Sequence, residues 1–162
     1  MSALDVAMGG DAPPHIFEHN GRAYKVRAFD VNAQLLYQKR VFREDRELLR
    51  ETKEDYDADE YSKQLRMQST AYMAGHYSFL SEKGQVFLNS NAGAQFVGAI
   101  LFQTDESDFQ RLLVARGAEV SAMVKLVLEE SFGVSAEQIA AAQKKTQEAT
   151  SSTLTTNEAS KP

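Results

Sequence analysis

The sequence predicts a mainly α protein with a small N-terminal β-hairpin, an α+β chain in which one helical domain stands between two polar tails. Three observations carry that expectation. Apolar residues recur at helical spacing from about residue 31 to residue 132. Asn20-Gly21 sits between two short segments of alternating polarity, the pattern of a two-residue hairpin. The first fourteen residues and those from Thr150 onwards have no periodic apolar pattern. With 162 residues, 43% of them apolar and 25% charged, the chain has room for one packed domain, and its mean hydropathy of -0.42 fits polar ends.

The elements follow in order. Residues 1–14, with Gly9-Gly10 and Pro13-Pro14, read as a flexible lead-in. A two-residue loop at Asn20-Gly21 pairs Phe17 with Tyr24 and His19 with Arg22, placing Phe17, Tyr24, Val26 and Ala28 on one face of a hairpin over 15–29. A lone ribbon is marginal in water, so that face is expected to lie on helices. Asp30 is a good N-cap for a helix of about 20 residues, with Leu35, Phe42 and Leu49 as its apolar stripe beside Val31 and Leu36. Its other side is solvated, with Arg43, Glu47, Arg50 and Glu54 at four-residue spacings.

The helix signal lapses around Asp55 to Asp59, and Asp57 with Glu60 then forms a capping box. A second long helix is expected through Tyr61, Leu65, Tyr72, Met73, His76, Phe79 and Leu80, ended by Gly84, with Val86 to Leu88 as a short extended piece. The run from Ala92 to Phe102 is apolar nearly all round, which for a helix implies burial by the domain or by another chain. Asp105 caps a helix over Phe109 to Arg116 that Gly117 ends, and Val120, Met123, Val124, Val127 and Leu128 mark another that stops near Gly133. Ser135 with Gln138 is a further capping box, opening an Ala, Gln and Lys helix to about Ala149. The Ser/Thr-rich tail over 150–162 is too polar to offset its ordering entropy and is expected to be disordered. The domain therefore spans 15–149.

Charge and composition narrow the function. A net charge of -5 argues against nucleic-acid or anionic-lipid binding, and the excess is local: from Arg43 to Glu60 nine acidic residues face four basic ones, leaving 14 of each sign elsewhere. The absence of cysteine excludes disulfides, thiolate nucleophiles and thiolate metal sites. The longest apolar run, Phe96 to Phe102, is far below the roughly 20 residues of a membrane-spanning helix. These features describe a soluble, cytoplasmic protein with no cofactor.

Each chemical motif has a fault. Asp55, Asp57 and Asp59 stand at calcium-loop spacing, but Glu60 replaces the turn glycine and Arg66 the bidentate glutamate. Gly93 and Gly98 have phosphate-loop spacing, but Ala99 and Ile100 stand where lysine and serine or threonine are needed. His15 and His19 share a strand face roughly 13 Å apart, too far to chelate one ion. No metal ligands or catalytic residues are assigned, and a small enzyme using carboxylates gathered by folding would need a polar cleft with perturbed acids.

The order of parts resembles the bacteriophage tail assembly chaperones: a hairpin built on Phe-Glu-His-Asn-Gly-Arg-Ala-Tyr-Lys-Val, charged helices, Asp-Glu-Ser-Asp-Phe-Gln-Arg-Leu-Leu and a closing amphipathic helix, over residues 16 to about 132. The resemblance implies a non-enzymatic late protein of the host cytoplasm. Its partner would be the tape measure or tail tube protein, it would be absent from the finished virion, and a longer frameshifted form is common in the family. The apolar surface for such a client is expected at Phe96, Val97, Ile100, Leu101, Phe102, Leu112, Leu113, Val124 and Leu128, residues that would equally serve a helical core. The alternative is a structural or adaptor protein of a particle, or a homo-oligomer, joined through the same apolar helix.

Overall fold

The computed structural model describes residues 14–133. Of the expected lead-in over 1–14 all but Pro14 lies outside the described residues, as do the expected helix over 135–149 and tail over 150–162. Within them the chain is mostly helical, with one antiparallel hairpin and five helices. β1 (His15–His19) and β2 (Arg22–Val26) pair in the expected register, Phe17 opposite Tyr24 and His19 opposite Arg22. Asn20 and Gly21 both take positive φ, 50° and 74°, the geometry that lets two residues close a hairpin without splaying its strands.

The hairpin's inner face covers helix. Phe17 and Val26 are buried, and the Phe17 ring meets Phe102 edge-on at 5.5 Å. Ala28 is exposed, contrary to the alternation expected past Val26. The strand ends there, so period-two alternation ends with it, and Phe29 becomes the buried residue of the turn into the first helix.

That helix, α1 (Val31–Glu51), is capped by Asp30, whose carboxylate accepts from the Ala33 N–H at 2.8 Å. Its buried residues are Ala33, Tyr37, Val41 and Leu49; of the expected stripe, Leu35 and Leu36 are about half exposed and Phe42 is half-buried. The seven-residue repeat of Leu35, Phe42 and Leu49 has the wrong phase for the first three turns. Ala33 is buried, and Tyr37 buries its whole ring while its hydroxyl donates to the Gly84 carbonyl at 2.5 Å. A tyrosine so placed outweighs a leucine in buried area.

A 3₁₀ turn (Lys53–Asp55) fills the expected lapse. α2 (Ala58–Met73) follows, with Asp57 accepting from the Glu60 N–H. It ends earlier than expected. Gly75, at φ 80°, turns the chain into the short segment that buries Tyr77 and Phe79. Gly84 is no helix stop: it lies inside α3 (Glu82–Leu88), which also makes Val86 to Leu88 helical rather than extended. A Cβ on Gly84 would overlap the Ser78 carbonyl oxygen, so glycine is required there for close approach and not for positive φ.

α4 (Asn91–Phe102) packs against α3 and α5 (Glu106–Phe132). Its C-terminal turn ends on Gln103 at φ 52°. α5 is capped by Asp105 and broken at Arg116 (φ -141°, ψ 47°), where two helices were expected to meet; Gly117 itself is not left-handed, whereas Gly133 is. The core joins three aromatic groups: Phe17, Tyr24, Phe102 and Phe109 under the hairpin; Phe29, Tyr37, Phe79, Phe87 and Phe132 at its centre; and Phe42, Tyr72 and Tyr77 beside α2.

Candidate functional site

The expected surface residues divide in two. Val97, Leu101, Phe102 and Leu112 are buried in the core of the monomer. Phe96, Ile100, Leu113, Val124 and Leu128 are part-buried and pack against that core. The burial of most of α4 follows from its composition: an apolar helix needs cover, and α3, α5, α1 and β2 pack against it, burying Gly93, Val97, Gly98, Ala99, Leu101 and Phe102 while Ala92 and Ala94 stay exposed. Gly93 and Gly98 make this cover close. A Cβ on Gly93 would strike the Phe87 carbonyl, and one on Gly98 would enter the Phe109 ring.

Phe96 and Ile100 nevertheless reach an open groove where α4 approaches α1 and the start of α5. Leu36, 52% exposed, forms its α1 bank with Ala99 beside it, and Gln103, Thr104, Asp105 and Glu106 make the polar rim. Arg40, one turn after Leu36, holds the bank in place. Its guanidinium lies over the Phe96 ring at 5.3 Å, its Nη1 stands 3.6 Å from Glu106, and its Nε approaches the Glu44 carboxylate at 2.8 Å. That last contact lacks hydrogen-bond alignment and is an ion pair. The groove is therefore an apolar strip with an acidic end, able to take an apolar side chain and a polar or basic neighbour.

Sequence reasoning found Phe96 and Ile100 but missed the α1 bank. The usable signal was the four-residue spacing of Ala33, Tyr37 and Val41: with those facing inward, Leu36 and Arg40 fall together on an adjacent face.

A polar cluster lies away from the groove. The Asp45 carboxylate accepts from the Tyr77 hydroxyl at 2.5 Å, from Lys83 Nζ at 2.7 Å and from Gln68 Nε2 at 3.1 Å. Burial, reinforced by the Asp45 hydrogen bond, pushes the Tyr77 hydroxyl's pKa up. Burial works against the Lys83 charge, but Asp45 and Tyr77 outweigh it and raise the ammonium pKa. Both groups thus keep their protons at neutral pH, and the cluster ties α1, the segment after α2, and α3 together. Among the described residues no group of three metal-ligating side chains comes together, and no helix is long and apolar enough to cross a membrane. Asp57, from the would-be calcium loop, is occupied as a helix cap, and His15 pairs with Glu130 at 2.7 Å.

Fold and groove together define, over the described residues, a helical, hairpin-bearing chain with a part-open apolar groove between α1, α4 and the start of α5. No family model matches it, and comparisons with curated proteins and with solved structures give no match.

Proposed function

We propose that this is a non-enzymatic protein-binding factor, a phage tail assembly chaperone whose groove at Leu36, Phe96 and Ile100 takes an apolar side chain of the helical tape measure protein. The observation that carries the reading is the groove itself: half-exposed Leu36 and part-buried Phe96 and Ile100 line one open apolar depression with a polar rim. The hairpin-then-helices layout, which the chain shares in outline with such chaperones, supports it, and acidic surface near the strip would keep a sticky protein soluble.

Co-expression with the tape measure protein of the same genome tests the reading. The full chain is expected to keep the client soluble and co-purify with it, and Leu36→Glu to lose that while keeping its urea midpoint, because Leu36 is half exposed. Co-purification unchanged in Leu36→Glu would remove the groove from the account. Recovery of the protein in purified particles by mass spectrometry would favour the structural adaptor instead.

A further inference from the structure

The two banks of the Leu36 groove carry opposite charges that the monomer leaves unpaired. Lys39 and Arg43 stand three and seven residues after Leu36 on α1, so helical spacing puts all three on one face, and both cations are exposed. Among the described residues neither pairs with an acid. Arg40, on the inner side of the same ridge, is already engaged with Glu44, Glu106 and the Phe96 ring.

Across the groove the start of α5 offers the opposite sign. Asp105 accepts the Asp108 N–H through Oδ1 at 2.7 Å, and Glu106 meets Arg40 through Oε1 at 3.6 Å. The second oxygen of each carboxylate has no partner among the described residues. The surface therefore has a basic ridge crested by Leu36, an apolar floor at Phe96 and Ile100, and an acidic far rim. Three bands in that order are complementary to themselves after a half-turn: the ridge of each copy meets the rim of the other, twice, about a shared apolar centre.

We infer that a second copy of this chain covers the groove in the free protein. In this two-fold dimer Leu36 of each ridge enters the other groove, and Lys39 and Arg43 meet the partner's Asp105 and the partner's Glu106. A foreign helix would have to bring matching charges, whereas a second copy already carries them beside its own apolar insert. The net charge of -5 on each copy opposes association, but most of the acidic excess lies from Glu47 onwards, and physiological salt screens exposed charges beyond about 8 Å. The dimer does not rest on the client reading; a client helix would displace the second copy from the same groove.

Sedimentation equilibrium of the full chain with no client present tests the dimer. The average mass is expected to rise from 18.0 kDa towards twice that value between about 1 and about 300 μM, the behaviour of a small, weak interface. Two charge variants are then compared, Lys39→Glu with Arg43→Glu in one chain and Glu106→Lys in another. Each sets like charges against one another at both contacts of its own dimer, so each alone is expected to stay monomeric over that range. An equimolar mixture restores opposite charges at both contacts and is expected to regain the wild-type dimer mass, which also shows that both variants fold. A wild type that stays at monomer mass, variants that dimerise as the wild type does, or a mixture that stays monomeric would each overturn the proposal. Masses that climb past the dimer would show a head-to-tail contact and overturn it equally. None of these failures touches the client reading, because no client is in the cell.

Discussion

At the scale of single residues, the positions that matter most carry little or no side chain. Gly98 lets the Phe109 ring lie against the α4 backbone, and a methyl group there would occupy the ring's place. Gly98→Ala is therefore expected to destabilise the protein by about 1–3 kcal/mol, because an overfilled core must shift ring or backbone. Gly117 is the control. It lies in α5 without positive φ and with open space around its Cβ position, so Gly117→Ala is expected to stabilise by about 0.5–1 kcal/mol through helix propensity. Urea midpoints of the two variants should move in opposite directions; equal shifts would mean that the α4–α5 contact is looser than described. The sequence does not disclose either role: it reads Gly117 as a helix end although it lies inside α5, and Gly98 as one small residue in an apolar helix, and the two differ in what another helix brings near them.

At the scale of elements, the hairpin is tied to the helices by a few contacts between residues far apart in the chain. The Arg27 N–H donates to the Leu101 carbonyl at 2.9 Å, and Gln103 Nε2 donates to the Lys25 carbonyl at 2.9 Å. Arg116, at the break in α5, reaches the Glu18 carbonyl at 2.8 Å and lies over the Phe17 ring at 5.0 Å. Its guanidinium also hydrogen-bonds Glu119 and holds that carboxyl below its usual range. Gln103 does two things at once: it ends α4 in a left-handed conformation that disfavours a side chain, and it ties β2 down with that side chain. Gln103→Ala keeps the backbone strain and loses the bond, for an expected loss of about 1 kcal/mol. Gln103→Gly loses the bond but relieves roughly 1 kcal/mol of strain and should come out near neutral. Thermal melting that ranks the glycine variant above the alanine one, the reverse of the order inside a helix, would establish this dual role; the ordinary order would refute it.

At the scale of the whole molecule, the buried hydroxyls set an alkaline limit. Burial raises the pKa of Tyr37, against the opposing effect of a Leu88 backbone hydrogen bond, and burial raises that of Tyr77, both above the usual 10.0; Lys83 is raised above 10.5 by its partners despite burial. A group whose folded pKa exceeds its unfolded value binds its proton more tightly when folded. The stability it adds is complete below the unfolded value and is lost as pH rises towards the folded one. Denaturant midpoints should therefore hold up to about pH 10 and fall above it. Tyr37→Phe, which removes one of these protons, should make that fall shallower, and an unchanged slope would show that Tyr37 is open to water. The sequence by itself determined the features that depend on neighbours along the chain. These are the Asn20-Gly21 turn and its register, the caps at Asp30, Asp57 and Asp105, the break near Arg116, and the stop at Gly133. Hydrogen bonds spanning three or four residues and the sterics of positive φ are local, so they can be read from the string. Tertiary structure alone decided which face of α1 turns inward, why Gly84 is helical, and that Val97, Leu101 and Phe102 fill the core while Leu36, Phe96 and Ile100 border the groove. Leucine, phenylalanine and isoleucine gain about the same from burial wherever it occurs, so which of them lose their water depends on how the helices pack around them.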